Sequence, residues 1–482
     1  MAIKIKLKTI YILLGTFLLL LTLGLAYRYL YPNLVSYEEK EVNKALRAEL
    51  TSEFNNAFLE EIEASGNIVE YELTALETEL SLFGEPTTEV FAYNEQIPGP
   101  TIRAKLGDTL KITFKNELPQ ETTIHWHGVR VPNAMDGVPG VTQEAIKPGE
   151  TFVYEFTPKD AGTFWYHPHV RTAEQMERGL YGLLIVEGNG TEQYNQDVSW
   201  VLDDWRLVED NQINENFVTR HDLMHDGRWG NTITVNGSPS ETLFMQPGER
   251  ALIRIINTSN GRVYDLNFGS LEANIVAVDG MTTKEPVKAN GFELSPGNRI
   301  DVDVKIPVDG YRNNYTIRDQ FTRYSNTLGN IRVEGETLEM DDFSYPTNTK
   351  IPDWTSALEY APDKTYILNA RQGGKYGLEW TINGKAFPDY DPIELRHGVF
   401  NKIRFVNESY RLHPMHLHGQ FFKVIARNGV PVNEPYFRDT VLIKRQETVD
   451  IALVPLGKGS WANHCHILEH AEAGMMTIVD VK

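Results

Sequence analysis

A pattern that recurs three times constrains the fold of this chain more than any other feature. Each copy begins with a Gly, continues as a segment that alternates apolar and polar residues, and closes on an Asn. Alternation with a period of two is typical of a strand with one buried face. Three similar β domains are the simplest explanation of the repeat. The copies span residues 107–116, 248–257 and 398–407, at intervals of about 140 to 150 residues.

The remainder of the chain after Gly66 favours the same fold class. Short alternating segments are separated by Pro and Gly turns, which is typical of an all-β protein of sandwich or barrel type. We expect the first two β domains to end near Asn189 and Thr337. The predicted organisation is a signal peptide or anchor at 1–35, an amphipathic helix at 36–66, and β domains at 67–189, 190–337 and 338–482.

The N-terminus predicts export. Three lysines, the last at Lys8, precede an uncharged stretch over residues 9–27 that approaches the ~20 residues needed to span a bilayer. Basic residues before such a stretch place the N-terminus inside and the body outside. Gly24-Leu25-Ala26 would serve as a signal-peptide cleavage site, whereas the length of the run and its flanking tyrosines favour an uncleaved anchor. We predict a periplasmic or otherwise extracytoplasmic protein that is tethered to the membrane, or secreted if cleaved.

The segment from Ser36 to Ser65 predicts a helix. Its apolar residues recur every four positions and would form one face, and Ser65-Gly66-Asn67 would end it. This helix could be a stalk between membrane and body, a helix packed on the body, or one strand of a coiled coil. The face consists of Val42, Leu46, Leu50, Phe54, Phe58 and Ile62.

The net charge of the chain is -20, which argues against nucleic acid as a partner. Binding to phosphates requires clustered Lys and Arg, and this chain has an excess of Asp and Glu. The acidic balance is compatible with cationic substrates, or simply with solubility.

Histidine placement indicates a metal-binding protein. Ten of the 13 histidines fall into four groups, which lie only in the first and third predicted domains. Each group contains a His-x-His pair, and on a strand this spacing puts both imidazoles on one face, where they suit neighbouring metal ions. A zinc site uses four ligands, so the set exceeds one or two zincs and suffices for about four coppers. The groups are His125 and His127; His167 and His169; His413, His416 and His418; and His464, His466 and His470.

Cys465 is the only cysteine, so it forms no internal disulfide and its thiolate is the functional form. Cys with His and a weakly held Met is the ligand set of a blue-copper electron-transfer site. In a strand, Cys465 would point to one face while His464 and His466 point to the other. One segment could therefore hold one copper in front and others behind.

Four motifs together resemble the copper signatures of the multicopper oxidases, and most closely the three-domain laccase-like and metal-oxidase members. The resemblance covers about residues 67–482 and implies that each domain is a cupredoxin-like Greek-key β-barrel. The motifs are His125-Trp126-His127-Gly128, His167-Pro168-His169, the stretch 413–419, and the stretch 464–476.

The resemblance also implies a ligand for every position of a four-copper set, one type 1, one type 2 and two type 3. The shared cluster would lie between the first and third domains, which would explain why the middle domain lacks these groups. It assigns His413, Cys465, His470 and axial Met475 to the type 1 copper, His125 and His416 to the type 2 copper, and His127, His167, His169, His418, His464 and His466 to the type 3 pair.

The activity implied is one-electron oxidation of a donor coupled to four-electron reduction of O₂ to water. Electrons would enter near the surface and pass from Cys465 through His464 and His466. Phenols or aromatic amines are the first expected donors, and Cu⁺ or Fe²⁺, in copper tolerance or iron handling, is the alternative. A non-catalytic scaffold is disfavoured by the complete ligand set.

Two acids are candidates for proton handling. Asp136 matches a family acid near the type 2 copper and would relay protons, or would only cap the turn before Gly137. Many bacterial members carry Glu directly after the second type 1 His, but here that residue is Ala471 and Glu472 follows. Glu472 is therefore the candidate catalytic acid at this displaced position.

One further motif lies in the middle domain. His221-Asp222-Leu223-Met224-His225 combines several side chains that can bind metals. It is either a polar loop or an accessory entry site for copper or iron.

Overall fold

The structure is a computed structural model that describes residues 32–58, 61–188, 193–309, 314–339 and 343–482. The described residues form six sheets and few helices, so the predicted all-β class is confirmed. The predicted anchor lies within residues 1–35, and residues 1–31 are outside the described ranges. Within those ranges, no helix is long and apolar enough to cross a membrane.

The chain divides after Leu50 into two units, of which the first is described only from Pro32 onward. Helix α1 spans Pro32–Ala57. It ends at Ala57 and does not continue to Ser65 as predicted. The reason is tertiary, because the Ser65 amide donates to the Gly107 carbonyl at 2.8 Å and its hydroxyl donates to Asp108.

Within the second unit, the C-terminal end of α1 packs on the body. The rings of Phe54 and Phe58 both contact Phe437 edge-on, with centroids 5.5 and 4.7 Å away. Phe54 also stacks on Trp354. Burial of two aromatic rings stabilises this arrangement, so this end of the helix is a packed element and not a stalk.

The first sheet pair consists of two four-stranded sheets, ordered β2-β1-β4-β6 and β3-β8-β7-β5. Its strands are β1 (Ile68–Leu80), β2 (Thr88–Tyr93), β3 (Gly99–Lys105), β4 (Thr109–Asn116), β5 (His125–His127), β6 (Thr151–Phe156), β7 (Gly162–His167) and β8 (Gly182–Glu187). Helix α2 (Thr172–Glu177) follows β7. A 3₁₀ turn (Asn133–Met135) follows β5.

The second sheet pair has a six-stranded sheet, β10-β9-β12-β17-β14-β15, and a five-stranded sheet, β11-β19-β18-β13-β16. Its strands are β9 (Gln196–Trp205), β10 (Thr232–Val235), β11 (Glu241–Met245), β12 (Arg250–Asn257), β13 (Tyr264–Asn267), β14 (Glu272–Val278), β15 (Met281–Lys288), β16 (Phe292–Leu294), β17 (Arg299–Lys305), β18 (Asn314–Asp319) and β19 (Asn326–Val333). Between β9 and β10 lie a 3₁₀ turn (Glu209–Asn211) and helix α3 (Arg220–Met224).

The third sheet pair repeats this plan as β21-β20-β23-β28-β25-β26 and β22-β30-β29-β24-β27. Its strands are β20 (Lys364–Arg371), β21 (Glu379–Ile382), β22 (Ile393–Leu395), β23 (Asn401–Asn407), β24 (His413–Leu417), β25 (Lys423–Arg427), β26 (Val430–Pro431), β27 (Thr440–Ile443), β28 (Thr448–Leu453), β29 (Gly459–Cys465) and β30 (Met476–Val481). A 3₁₀ turn (Thr355–Glu359) precedes β20, and helix α4 (Leu468–Glu472) joins the last two strands.

The sequence repeat corresponds to one structural position. Its three copies form β4, β12 and β23, and each of these strands pairs in parallel with the first strand of its sheet and antiparallel on the other side. Apolar residues of these strands point between the two sheets, where the cores of the second and third pairs lie. The alternation seen in the sequence is therefore the signature of a central strand with a buried face.

The closing asparagines Asn116, Asn257 and Asn407 have the same role in all three pairs. The Nδ2 group of each donates to two backbone carbonyls, and Oδ1 accepts from the amide two residues later. These bonds fix the loop that leads to β5, β13 and β24. Two of those three strands carry the first histidines of a group.

Candidate metal centre

The Cys465 cluster brings together three side chains from different elements of the third sheet pair. His413 begins β24, Cys465 ends β29, and His470 lies in α4. Cys465 Sγ is 3.6 Å from His413 Nδ1 and 3.9 Å from His470 Nδ1, and these two nitrogens are 3.3 Å apart. All three side chains are fully buried, so one small cation could contact all three.

Met475 is brought back to this cluster by the chain that follows α4. The Cys465 amide donates to the Met475 carbonyl, and the Met475 amide donates to the His470 carbonyl, both at 3.0 Å. Gly474 makes this return possible, because its φ is +110° and a Cβ there would lie 2.5 Å from the Cβ of Ala386. The Met475 side chain is fully buried in the same core as Cys465.

Burial raises the pKa of the Cys465 thiol well above its usual range. Burial also lowers the pKa of His413 and His470, the latter to about 3. The two imidazoles are therefore neutral, and the thiolate forms only when a cation stabilises it. Soft sulfur beside neutral imidazole nitrogens fits copper.

The histidine cluster joins the first and third sheet pairs. The ring of His125 stacks on that of His418 at 3.8 Å, and the ring of His127 stacks on that of His416 at 3.7 Å between centroids. Strand pairing sets these positions, since His125 lies opposite His167 and His416 lies opposite His464. Residues far apart in sequence thus form one continuous group.

Several sets of three ring nitrogens in this cluster lie within 4.8 Å of one another, and they overlap. In one set, His464 Nε2 lies 3.1 Å from His418 Nε2 and 3.5 Å from His169 Nε2. The ring of His466 lies 5.0 Å from that of His127 and 5.5 Å from that of His167. The ring centroids of His125 and His416 are 5.8 Å apart.

Several buried ring nitrogens of the cluster have no hydrogen-bond partner among the residues that the structure describes. A buried polar atom without a hydrogen-bond partner destabilises the folded protein, so a ligand that contacts these nitrogens is the simplest explanation for them. These atoms fit a bound copper set, because imidazole nitrogen is a preferred copper ligand. The atoms are Nε2 of His125, His167 and His416, Nδ1 of His127, and both ring nitrogens of His466.

Backbone carbonyls orient four of these rings. Nδ1 of His125, His167, His416 and His464 lies 2.8 to 3.1 Å from a carbonyl oxygen, to which a neutral ring donates its proton. The lone pair then resides on Nε2, which points into the cluster. Burial lowers the pKa of His167, His416 and His464 and keeps these rings neutral.

Asp136 lies against the cluster. It follows the 3₁₀ turn after β5, and its Oδ2 lies 2.9 Å from His418 Nδ1. Its Oδ1 is 3.3 Å from His125 Nδ1 and has no hydrogen-bond partner among the described residues. The carboxylate is therefore in a position to orient His418 and to accept a proton.

Glu472 makes a different contact. Its Oε1 accepts a hydrogen bond from the Ala173 amide at 2.9 Å, in the first turn of α2. Burial raises the pKa of this carboxyl. The neighbouring Glu469 is fully buried, whereas Glu472 is half-buried, and Glu469 accepts from Asn260 Nδ2 and the Arg228 amide. The structure thus reveals a second acid, and a more deeply buried one, in the segment where the family position holds Ala471.

Sequence reasoning missed Asp439. Its Oδ1 lies 3.2 Å from His127 Nε2 and accepts from Arg299 at 3.0 Å. Burial alone would raise the pKa of Asp439, but Arg299 and His416 outweigh it and lower the pKa. A charged Asp439 fixes the proton of His127 on Nε2, which leaves the lone pair of Nδ1 available to a metal ion. No spacing rule links residue 439 to residue 127, so the sequence held no signal for this contact.

The second sheet pair also contacts the Cys465 cluster. His470 Nε2 lies 3.0 Å from the backbone carbonyl of His225, which follows α3.

Within the third pair, His413 Nε2 lies 2.9 Å from the Ser409 hydroxyl. Trp380 covers both rings, with centroids 4.8 Å from His413 and 4.3 Å from His470. The outward nitrogens of both histidines are thus hydrogen-bonded.

Comparison with known proteins identifies the family. Multicopper oxidase family models match residues 75–191, 196–338 and 359–482. The chain is 28% identical over 456 residues to multicopper oxidase MmcO of Mycobacterium tuberculosis, covering 86% of this chain and 88% of that protein.

Solved structures agree with this. A multi-copper oxidase from Pseudomonas thermotolerans matches with a TM-score of 0.76 and 32% identity, over 87% of this chain and 100% of that one. One from Campylobacter jejuni, described as a metallo-oxidase, matches with a TM-score of 0.73 and 26% identity, over 88% and 94%. The predicted cupredoxin-like fold is confirmed. The chain therefore belongs to the multicopper oxidase family, whose members are copper-dependent oxidoreductases.

Proposed function

We propose that this protein oxidises a reducing substrate one electron at a time and uses four such electrons to reduce O₂ to water. The observation that carries the proposal is the convergence of ten histidines and Cys465 into two adjoining clusters that are buried except at His169. Their neutral rings and unpartnered nitrogens fit copper. A simple electron carrier would need only the Cys465 cluster.

Four coppers are the proposed cofactors, with the ligands expected from the family. The closeness of His169, His418 and His464 supports one half of the type 3 pair, and the rings of His127 and His167 beside His466 support the other. The type 2 site at His125 and His416 follows the family resemblance. The proposed type 1 ligands are His413, Cys465, His470 and Met475; the type 2 ligands are His125 and His416; the type 3 ligands are His127, His167 and His466, and His169, His418 and His464.

Bound copper would supply reversible one-electron chemistry, and the protein does the rest. The peptide bonds from Cys465 to His464 and His466 connect the two clusters by the shortest covalent path. Burial excludes bulk water from the Cys465 cluster and from the histidine cluster except at the half-buried His169. Asp136 would hold a proton beside His418, and Glu472 is proposed as a second acid that acts from the last residue of α4.

The donor is the finer part of the proposal. Phenols or aromatic amines remain the expected donors from the laccase-like resemblance. Metal ions are a second candidate, favoured by the exposed His221, Met224 and His225, because the backbone carbonyl of His225 contacts the His470 ring. The Campylobacter jejuni relative described as a metallo-oxidase supports the same candidate.

Oxygen uptake by the copper-loaded protein tests the proposal. A phenol, Cu⁺ and Fe²⁺ are supplied separately, and copper-free protein is the control. We expect uptake with at least one donor, at one O₂ per four electrons and without released peroxide. Protein with four bound coppers that consumes no O₂ with any donor would contradict the oxidase function.

A further inference from the structure

We propose that His221, Met224 and His225 form a surface site that binds Cu⁺ and delivers its electron toward His470. The proposal rests on the oxidase function above and names a donor and its entry point. Each Cu⁺ that docks loses one electron and leaves as Cu²⁺. Four such events with O₂ and four protons yield two waters, so charge and atoms balance.

The helix that carries the site is held in a defined shape. Thr219 and Asp222 form a capping box at the start of α3, and Asp222 also pairs with Arg206. His221 and His225 are four residues apart, a spacing that places two side chains on one helical face. Their rings are stacked with centroids 4.1 Å apart and an interplanar angle of 18°.

The available ring nitrogen of His225 is set by a local hydrogen bond. Its Nδ1 lies 2.7 Å from the His221 carbonyl and donates to it, so the lone pair of the neutral ring is on Nε2. His225 is exposed, and the His221 side chain is 74% exposed. A metal ion from solvent can therefore reach both rings without displacing the core.

Met224 provides the third donor. It is 45% exposed, which is unusual for a large apolar side chain, and it is adjacent to His225 and three residues from His221. Thioether sulfur is a soft ligand that selects Cu⁺, and imidazole is compatible with it. Two imidazoles and a thioether therefore favour Cu⁺ over Fe²⁺ or Zn²⁺. The net charge of -20 attracts a cation to the protein in general.

The position of the site connects it to the Cys465 cluster. The backbone carbonyl of His225 accepts from His470 Nε2 at 3.0 Å, and the Leu223 carbonyl accepts from Trp380 Nε1 at 3.1 Å. His470 belongs to the Cys465 cluster, and the Trp380 ring contacts His413 and His470. An electron from an ion on His225 would cross one hydrogen bond to reach a ring of that cluster.

Binding of Ag⁺, a redox-inert stand-in for Cu⁺, tests the site independently of activity. The copper-loaded protein is titrated by calorimetry as wild type, as His221→Ala/His225→Ala, and as the single-histidine control His397→Ala. The backbone carbonyl of residue 225 remains in the double variant, and blue absorption verifies the Cys465 cluster. We expect one more bound Ag⁺ in wild type and control than in the double variant. Equal stoichiometry and affinity in all three would overturn the site.

Kinetics test the electron delivery. The two quantities compared are kcat/KM for Cu⁺ and kcat/KM for a phenol. We expect the first divided by the second to fall about tenfold in the double variant and in Met224→Leu. A tenfold change corresponds to about 1.4 kcal/mol of lost binding free energy. An unchanged ratio would overturn the delivery role. If the wild type consumes no O₂ with any donor, the oxidase function fails, whereas the Ag⁺ titration still decides whether the site exists.

Discussion

The second and third sheet pairs have the same strand arrangement but carry different side chains at matched positions. Strand register makes Tyr264 equivalent to His413, and Asp319 equivalent to Cys465. Even the supporting bond is shared, because the Tyr264 hydroxyl contacts Ser259 at 3.1 Å as His413 contacts Ser409 at 2.9 Å. Single side chains at matched positions therefore decide whether such a framework offers a metal cluster.

The second pair nevertheless supports the clusters from outside. Arg299 holds Asp439, which orients His127, and the His225 carbonyl bonds to His470. The second sheet pair, which carries none of the ten clustered histidines, is thus in contact with both clusters. The comparison separates residues that are proposed to bind metal from residues that position those residues.

The largest effect is expected at the position where the two pairs differ most. Cys465→Ser removes the thiolate, so blue absorption and turnover should both be lost, while copper bound by the eight-histidine cluster is retained. Absorption spectroscopy, copper content and O₂ uptake measure this. Turnover that persists without blue absorption would contradict the proposed electron route.

Asp439→Asn tests support from the second pair. Asn cannot balance the charge of Arg299, so we expect His127 to lose its fixed orientation and kcat to fall by about 10–100-fold, as for other partners of metal ligands. Paramagnetic resonance should show altered copper in the histidine cluster. The exposed Asp389→Asn is the control. Wild-type spectra and turnover in Asp439→Asn would show that Asp439 does not position His127.

Lys423, in the third pair, is expected to make the free energy of unfolding depend on pH in a way that the second pair does not. Register places neutral Asn274 at the equivalent position. Burial lowers the pKa of Lys423 to about 8, whereas the unfolded chain keeps that proton up to about 10.5. Between these values the unfolded state binds more protons, so stability should rise with pH, by up to roughly 3 kcal/mol.

Lys423→Met should remove this rise, because Met carries no proton. Denaturant unfolding of the wild type and of Lys423→Met at pH 7.5 and pH 10 measures the change in their free energies of unfolding. Lys444→Met is the control, because the Lys444 side chain is half exposed. An identical pH dependence in Lys423→Met and wild type would exclude Lys423 as its source.

The smallest effect is expected where the two pairs are alike. Asn257→Ala and Asn407→Ala each leave buried carbonyls and an amide without a partner, at a cost of about 1–3 kcal/mol. Thermal unfolding should show similar losses for both. Only Asn407→Ala should also change the blue absorption, because Asn407 holds Ser409 against His413. A spectral change in Asn257→Ala would contradict this division.

The sequence alone determined the β repeat, the four histidine groups and the importance of Cys465. These are local properties, since alternation reports a buried strand face and the ligand atoms belong to the residue types themselves. It did not predict where α1 ends, because the contacts of Ser65 and Phe54 involve residues far along the chain.

Only the tertiary structure decided which groups meet. The contact of Asp439 with His127 joins residues 312 apart, and that of Asp136 with His418 joins residues 282 apart. The bond from His470 to the His225 carbonyl gave a middle-domain motif a possible role. Such pairs depend on how sheets from different parts of the chain pack together, and packing between distant segments leaves no periodicity in the sequence.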